Sequence, residues 1–403
     1  MMKKNNLLIL AVAALGFAAC ANDETTAVNE KLAESNAISF RTFVGGQMRA
    51  ADATTSNLSA FKAYAKKTSG GAVYFNEDVF TESGGTYTST TKHYWPETDA
   101  LDFYAYAPSE NNAQISNHTA QSLTFTVTPA DAAGSQVDLI VANTDNKTKA
   151  GTYLTDKQYG KDGIPLNFRH TGSKIVVNFK NTQANLKIEV QAFKIVNVDG
   201  SATFTFADAD PDANTDTQNS RQLADGWTDN DDAFNKTYTV TPTKANIIAA
   251  STTDAVYLQN DGTPSATVNA AEEMILIPQT TTTDDKYSAA GKNSTFPAEK
   301  TYIAVKMVIR NNDAAGTVIA DATNDGKWAI WPVAFTWVPG KKYTYIVNLG
   351  DGGYWEKNDD TDINLDPVLD GAEIKFVTVT VDDWSDFDAD NTAAGNQPIN
   401  VPF

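Results

Sequence analysis

Short runs of alternating apolar and polar residues recur along the chain and predict many short β-strands. The clearest run, residues 101–107, reads Leu-Asp-Phe-Tyr-Ala-Tyr-Ala and ends at Pro108. Residues 37–44 form the first such run, with Ile38 and Phe40 on one face. Long amphipathic helical runs are absent from the sequence, and turn residues separate the short runs. The pattern therefore predicts an all-β protein built from sandwiches.

The predicted strands fall into two halves. Those of the first half lie at residues 37–44, 58–65, 72–78, 79–80, 87–91, 101–107, 123–128 and 137–142. Those of the second half lie at 166–170, 174–179, 186–190, 193–198, 201–206, 238–240, 273–278, 301–310, 333–337, 343–349 and 374–381. Gly84 and Gly85 predict a hairpin turn. The Lys-Asp-Gly-Ile-Pro segment at 161–165 predicts the boundary between two β-domains, residues 37–165 and 166–403.

The N-terminus has the features of an export signal and is set aside from the fold. Lys3 and Lys4 precede an apolar stretch at residues 7–15, which is shorter than the roughly 20 residues that span a bilayer. Ala18 and Ala19 then lead into Cys20. This arrangement resembles a lipobox, which predicts a signal peptide at 1–19 and a lipid-modified Cys20. The alternative is an ordinary cleaved signal followed by a stray cysteine.

Residues 20–36 are polar and predict a tether between the lipid and the first strand. Asn22, Asp23 and Glu24 form an acidic stretch that resembles the surface-export signal of Bacteroidetes lipoproteins, although a solvated linker would look the same. We therefore expect an outer-membrane lipoprotein, or a fimbrium, on the surface of a Gram-negative bacterium. Membrane attachment would rest on the lipid alone.

Charge and cysteine content exclude several classes of function. The formal net charge is −19 with a pI near 4.5, so the surface should repel phosphate backbones, and nucleic acid is not expected as a partner. Cys20 is the single cysteine of the chain. No disulfide, cysteine zinc cluster or second thiol can therefore form within it.

Catalytic and metal-binding patterns are not recognisable in the sequence. The three histidines, His93, His118 and His170, lack zinc spacing, and no nucleophile elbow, Walker loop or dinucleotide fingerprint occurs. Residues 208–216 place oxygen ligands at alternate positions, but Ala213 and Asn219 stand where a calcium loop needs Gly and Glu. We expect no enzyme activity, catalytic residue, metal site or cofactor, and a solvated acidic loop at 208–216.

A series of landmarks resembles the fimbrillin family of Bacteroidetes, the subunits and accessory proteins of type V pili. They occur in the family's order and cover nearly the whole mature chain. They are the segments at 94–96 (Tyr-Trp-Pro), 101–108, 138–142 (Asp-Leu-Ile-Val-Ala), 166–175, 275–279 (Ile-Leu-Ile-Pro-Gln), 337–345 and 379–384. The resemblance implies two tandem transthyretin-like β-sandwich domains. It also implies a structural or adhesive pilus subunit whose partners are other pilus subunits, with an unidentified receptor on a host or bacterial surface.

The resemblance implies in addition that a trypsin-like protease cuts the N-terminal domain and releases its first strand. Arg49 lies in a Gly-Gly-Gln-Met-Arg-Ala-Ala segment directly after that strand, so the expected cut lies between Arg49 and Ala50. Arg41 is within the strand and is a poorer site. The alternative is that Arg49 is a solvated loop residue and that the chain keeps its lipid as an anchor.

The last residues have the alternation expected of a donor strand, the strand that fills another subunit's groove. Ile399, Val401 and Phe403 occupy every second position, as a strand that seats its side chains in pockets requires. Pro398 and Pro402 lack backbone donors, which weakens any ladder that they join. A tail packed on its own domain is the alternative.

Seven tryptophans raise a second function, that of a surface glycan-binding lipoprotein. Such proteins bind sugars on exposed aromatic rings. Trp227, Trp328, Trp331 and Trp355 lie near predicted loops and are the candidates, although tryptophans buried in a sandwich core are the commoner case.

Overall fold

A computed structural model describes residues 37–44, 58–110, 112–119, 123–147, 163–206, 226–229, 235–267, 272–281, 301–319, 325–355, 368–369 and 378–383. β-Strands dominate these residues, which confirms the all-β prediction. The first half contains β1 (Phe40–Val44), β2 (Ala60–Lys67), β3 (Val73–Ser83), β4 (Thr86–Ser89), β5 (Leu101–Ala107), β6 (Ile115–Thr119), β7 (Thr124–Val127), β8 (Ile140–Lys147) and β9 (Ile164–His170).

The second half continues with strands of more varied length. They are β10 (Ser173–Asn181), β11 (Leu186–Val198), β12 (Ala202–Thr205), β13 (Trp227–Asp229), β14 (Lys236–Val240), β15 (Asn246–Ile248), β16 (Thr252–Val256), β17 (Met274–Leu276), β18 (Tyr302–Asn311), β19 (Lys327–Pro332), β20 (Lys341–Asn348), β21 (Tyr354–Trp355) and β22 (Thr378–Asp383). In the part of the chain that the structure describes, no helix is long and apolar enough to cross a membrane.

The N-terminal strands close into a barrel in the order β1-β4-β3-β2-β5-β8-β9. The predicted hairpin is confirmed: Ser83 pairs with Thr86, and Gly84 and Gly85 turn the chain with φ of 64° and 88°. Such positive φ values favour glycine because it carries no Cβ. Strand β9 spans positions 165 and 166, where the sequence predicts the domain boundary, and its partners are β1 and β8.

The C-terminal strands form two sheets that face each other over one large core. One sheet runs β16-β10-β20-β22, with β17 also paired to β10, and the other runs β14-β11-β18-β19-β21, with β15 also paired to β11. Alternate residues of each strand point inwards; Ile303, Val305 and Met307 of β18 are examples. In a β-sandwich, the inward-facing alternate residues of two sheets form a shared core, as they do here.

A small third sheet joins the two halves of the chain. Its order is β13-β12-β7-β6, so β12 of the second half pairs with β7 of the first, Phe204 opposite Phe125. This sheet packs on the outer face of the barrel, where Tyr64 and Tyr106 contribute to a separate aromatic core. The two halves are therefore connected by hydrogen-bonded strands as well as by the chain.

Several strand predictions need correction. Residues 333–337 were expected to form a strand, but the strand in this region is β19, and residues 333–337 contribute only an isolated bridge at Thr336. Their apolar side chains still face the core. The alternation in the sequence therefore reflects burial of every second side chain and not pairing with a neighbouring strand. The strands predicted at 186–190 and 193–198 form one strand, β11, whose register shifts between Val190 and Ala192. The strands predicted at 72–78 and 79–80 are likewise one strand, β3.

Candidate functional site

Strand β1 closes the barrel by filling the gap between β4 and β9. It pairs in parallel with β9 over five positions, from Phe40 opposite Ile164 to Val44 opposite Phe168. Its antiparallel pairing with β4 is limited to Phe40 opposite Tyr87. β1 therefore takes most of its backbone pairing from one neighbour.

Just before β1 the chain is fixed at both edges of the gap. The Ile38 amide donates a hydrogen bond to the His93 carbonyl oxygen at 2.7 Å, and the Ile164 amide donates to the Ser39 carbonyl oxygen at 2.8 Å. Ala37 forms an isolated antiparallel bridge with Tyr94. Backbone groups of this segment thus have hydrogen-bond partners on both sides of the gap.

The side chain of Phe40 occupies the centre of the barrel core and is 0% exposed. Its ring centroid lies 4.7 Å from that of Phe80, 5.3 Å from Phe103 and 5.7 Å from Phe61, all in edge-to-face geometry. Edge-to-face pairs are a favourable arrangement of aromatic rings. The sequence placed Phe40 on one face of the strand with Ile38 but did not reveal these three partners, because they lie on other strands of the chain.

The same core defines the groove that β1 fills. Around Phe40, the ring of Phe61 also contacts Phe168 at 5.2 Å and Tyr87 at 5.0 Å. The Tyr87 hydroxyl donates to the Leu58 carbonyl oxygen at 2.6 Å, which fixes one wall of the groove. Without β1, the groove would present this aromatic wall and the unpaired edges of β4 and β9 to water.

Gly163 allows β9 to start against β1. A Cβ at this position would lie 2.7 Å from the Phe40 carbonyl carbon and 3.0 Å from the Arg41 amide nitrogen, and the glycine has φ of +75°. Both the close approach and the positive φ require glycine. The sequence showed Gly163 only as part of the expected domain boundary. Its contact with β1 could not be read from the sequence.

The last described strand, β22, has a more exposed position. Among the described strands it forms the edge of its sheet and pairs with β20 alone, from Lys341 opposite Asp383 to Ile346 opposite Thr378. Thr378 is exposed, and Val379 and Val381 pack only partly on the sandwich core. The last described strand is therefore less enclosed than β1.

Several residues singled out by sequence lie outside the described residues. They are Cys20, Arg49, Ala50, the loop at 208–216, and Ile399, Val401 and Phe403. Arg41 lies inside β1, opposite Pro165, as expected.

Two of the histidines have carboxylate partners. The Nδ1 atom of His170 lies 2.7 Å from Asp138 Oδ2, and both side chains are buried. The His93 ring hydrogen-bonds Asp78 and stacks on Phe75, with centroids 4.3 Å apart. Both arrangements suit packing roles. Within the described ranges, no group of three or more His, Cys, Asp or Glu residues is placed to hold a metal ion.

The four candidate tryptophans have different environments. Trp331 is only 1% exposed and lies in the sandwich core, which excludes it as a surface platform. Trp227 of β13 donates its Nε1 hydrogen to the Thr171 carbonyl oxygen at 2.9 Å. Trp355 packs against the sandwich core from β21. Trp328 lies half-buried on the outer face of β19.

The barrel and sandwich, with a first strand that lies between two others, define an all-β protein. The chain belongs to the fimbrillin-like family, whose model matches residues 44–384. The resemblance stated from the sequence landmarks is thereby confirmed. Family membership indicates a fimbrial or adhesive protein of the cell surface, with a structural role rather than an enzymatic one.

Similar solved structures are related to the chain at low identity. A fimbrial protein from Bacteroides vulgatus is 15% identical, with a TM-score of 0.47, over 86% of this chain and 99% of its own. The tip fimbrial protein Mfa3 from Porphyromonas gingivalis, truncated at its C-terminus, is 10% identical, with a TM-score of 0.34, over 86% of this chain and 100% of its own. A comparison with curated proteins gave no match.

Proposed function

We propose that the chain is a subunit of a type V pilus that polymerises by strand exchange after its first strand is removed. In this proposal, a trypsin-like protease cuts between Arg49 and Ala50, β1 leaves, and a strand from another subunit takes its place. The observation that carries the proposal is the position of Phe40. Its side chain is fully buried in the barrel core, yet β1 pairs with β4 at this single residue.

The proposed cut follows β1 closely in the sequence. Val44 is the last residue of β1, and Arg49 comes five positions later (49 − 44). A cut there would detach the whole of β1 from the rest of the chain while leaving β2, which begins at Ala60, intact. A cut at Arg41 would instead divide β1.

The chemistry of the emptied groove favours a strand as its occupant. Its floor carries Phe61, Phe80 and Phe103, and its two edges are the backbones of β4 and β9. A strand satisfies both needs, because its backbone pairs with the edges and its alternate side chains fill the floor. This is the pattern of Ile38 and Phe40, both of which are buried.

We propose the C-terminal tail as the donor strand. Ile399, Val401 and Phe403 repeat the alternation of β1, and Phe403 supplies the aromatic ring that the Phe40 position would accept. In the chain, the tail follows β22, which lies at the edge of the described sheet. Pro398 and Pro402 limit the ladder that the tail can form.

Delivery to the cell surface completes the proposal. Cys20 would carry the lipid that anchors the precursor in the outer membrane, and the cut after Arg49 would release the chain from it. The division into two domains at residues 165 and 166 stays a separate prediction, although β9 (Ile164–His170) spans these positions and pairs within the barrel. Labelled palmitate should enter the wild-type precursor and be absent from a Cys20→Ser variant.

Polymerisation after proteolysis tests the proposal. The purified chain would be treated with trypsin-like protease, and its products run on a gel without boiling. We expect ladders of stable multimers from wild-type protein. An Arg49→Ala variant should give no ladder, whereas Arg41→Ala, the matched control in the strand itself, should still polymerise.

Two results would contradict the proposal. One is cleavage after Arg49 that leaves only monomer, and the other is an Arg49→Ala variant that polymerises as well as wild type. A Phe403→Ala variant tests the donor role of the tail separately from the cut after Arg49. If it is cut normally but does not polymerise, the tail is the donor; if it polymerises normally, another segment is.

A further inference from the structure

The groove that β1 fills uses different backbone groups at successive positions of the strand. On one edge, the Ile38 amide donates to the His93 carbonyl oxygen at 2.7 Å. On the other edge, the Ser39 carbonyl oxygen accepts from the Ile164 amide at 2.8 Å. The side chains of Ile38 and Phe40 are 2% and 0% exposed. A strand in the place of β1 would keep these contacts by supplying a donor, an acceptor and two apolar side chains in this order.

This order decides where the groove tolerates proline. Within the described part of the chain, the Ser39 amide donates to no backbone oxygen. Phe40 is paired in parallel with Ile164, and in a parallel ladder the residue after such a pair, here Arg41, turns its amide to the same neighbour. Proline has a carbonyl oxygen but no N–H. It can therefore stand at position 39, whereas at position 38 or 41 it would remove a hydrogen bond.

The tail has its prolines where this groove tolerates them, in one register. Its last six residues read Pro-Ile-Asn-Val-Pro-Phe. With Phe403 at the position of Phe40, Pro402 falls at position 39. Val401 then falls at position 38 and has an amide to donate. Pro398 falls before position 37, where the described residues begin.

Neighbouring registers fit the groove less well. A shift by one residue turns the apolar side chains to the opposite face of the strand. A shift by two that brings Val401 to position 40 puts Pro402 at position 41, where it removes a donor to β9. It also offers the smaller valine to the ring cluster. The opposite shift by two moves the Phe403 ring away from that cluster.

We infer that the emptied groove accepts the tail of another subunit parallel to β9, with Phe403 in the place of Phe40. The Val401 amide donates to the His93 carbonyl oxygen, and the Pro402 carbonyl oxygen accepts from β9. The inference rests on the proposed strand exchange and adds to it the direction and register of the donor. The groove thus selects tails that carry an apolar residue with an N–H two positions before an aromatic residue.

Fluorescently labelled peptides of residues 395–403 test the register on the full chain. The peptide contains neither Lys nor Arg, so a trypsin-like protease leaves it intact. Chain, protease and peptide are mixed and run on a gel without boiling. We expect the cut chain to retain the peptide and to form shorter ladders, because the peptide occupies grooves that other tails would fill. The uncut chain should retain no peptide, since β1 fills its groove.

Three changed peptides locate the register, and none of them alters the folding of the chain. Methylation of the Val401 amide nitrogen removes the donor but keeps the side chain, so retention should weaken roughly tenfold. Phe403→Ala leaves the ring cluster unfilled and should weaken retention roughly a hundredfold or more. Pro402→Ala is the matched control. It adds an N–H where the described groove uses none, so retention should stay within about threefold of wild type.

Four outcomes would overturn the inference. Unchanged retention of the N-methylated peptide would contradict the bond from Val401. Retention of the Pro402→Ala peptide that is roughly tenfold stronger would place Pro402 where the groove uses an N–H, and so in another register. Normal ladders in excess peptide that the cut chain does not retain would show that another segment is the donor, while strand exchange itself would stand. A cut chain that forms no ladders without peptide would overturn the proposed strand exchange, and the register with it.

Discussion

The first and last described strands of this chain are held in opposite ways. Strand β1 lies between two neighbours and places Phe40 among three phenylalanine rings at the centre of the barrel. Strand β22 is only partly buried and, within the described part of the chain, lies at a sheet edge with β20 as its one partner. The comparison teaches that loss of the first strand leaves a gap in a core, whereas loss of the last strand shortens a sheet. Only the gap left by β1 needs a matching strand to fill it.

The largest expected effect is that of truncating Phe40. Replacing a buried phenylalanine by alanine removes its ring contacts and leaves a cavity, so Phe40→Ala should lower the free energy of unfolding of the uncut chain by about 3–5 kcal/mol. The matched change in the last strand, Val379→Ala, should cost about 1 kcal/mol or less because that side chain is only partly buried. Denaturant unfolding of both variants checks the comparison. Similar losses of unfolding free energy in the two variants would contradict the difference between β1 and β22.

An intermediate effect is expected at the close contact between β9 and β1. Gly163→Ala forces a side chain into a positive-φ position and brings its Cβ to 2.7 Å from the Phe40 backbone. The backbone conformation alone costs about 1–3 kcal/mol, and the overlap adds to it. Gly84→Ala is the control, because Gly84 has φ of 64° but no atom within 4 Å of the added Cβ.

Thermal unfolding of the two glycine variants measures the difference. The Gly163→Ala protein should melt below the Gly84→Ala protein. Equal melting temperatures would mean that β9 does not press on β1 as closely as described. That result would contradict the close packing of β1 in the barrel.

The smallest effect is expected in the sheet that carries β22. The Tyr345 hydroxyl accepts a hydrogen bond from Trp337 Nε1 at 2.9 Å, and burial raises the pKa of this hydroxyl. An unfolded tyrosine ionises near pH 10, so above that pH the unfolded state loses a proton that the folded state keeps. Stability should therefore fall as the pH rises above about 10.

A Tyr345→Phe variant isolates this contribution. At neutral pH it should lose about 1–3 kcal/mol, because the buried Trp337 N–H loses its acceptor. Above about pH 10 the gap between variant and wild type should narrow, since the variant has no hydroxyl to ionise at this position. Unfolding free energies of both proteins, measured from neutral pH to above about pH 10, check whether the gap narrows. A gap that stays constant or widens would show that Tyr345 is not kept protonated by burial.

Local pattern was enough to find much of the fold. Strand β5 matches the alternating run at 101–107, and the Gly84-Gly85 hairpin is where the sequence places it. Both depend on residues close together in the chain. The polar strand β16, by contrast, has no buried alternation to reveal it, and its residues are exposed or half-buried.

Contacts between segments that are distant in the chain could not be predicted from the sequence. The pairing of β7 with β12 joins positions near 125 and 204, and nothing in either segment identifies the other. The candidate site divides in the same way. Alternation placed Phe40 on one face of its strand with Ile38, whereas its contacts with Gly163 and with the surrounding rings depend on tertiary structure.

The N-terminal residue of the polymerised protein tests the central claim most directly. Filaments sheared from cells would be dissociated, and the first residue of each subunit read by mass spectrometry. Removal of β1 predicts that subunits begin at Ala50 and that residues 37–44 are missing from the filament. Subunits that begin at Cys20, with residues 37–44 still attached inside filaments, would contradict the replacement of the first strand.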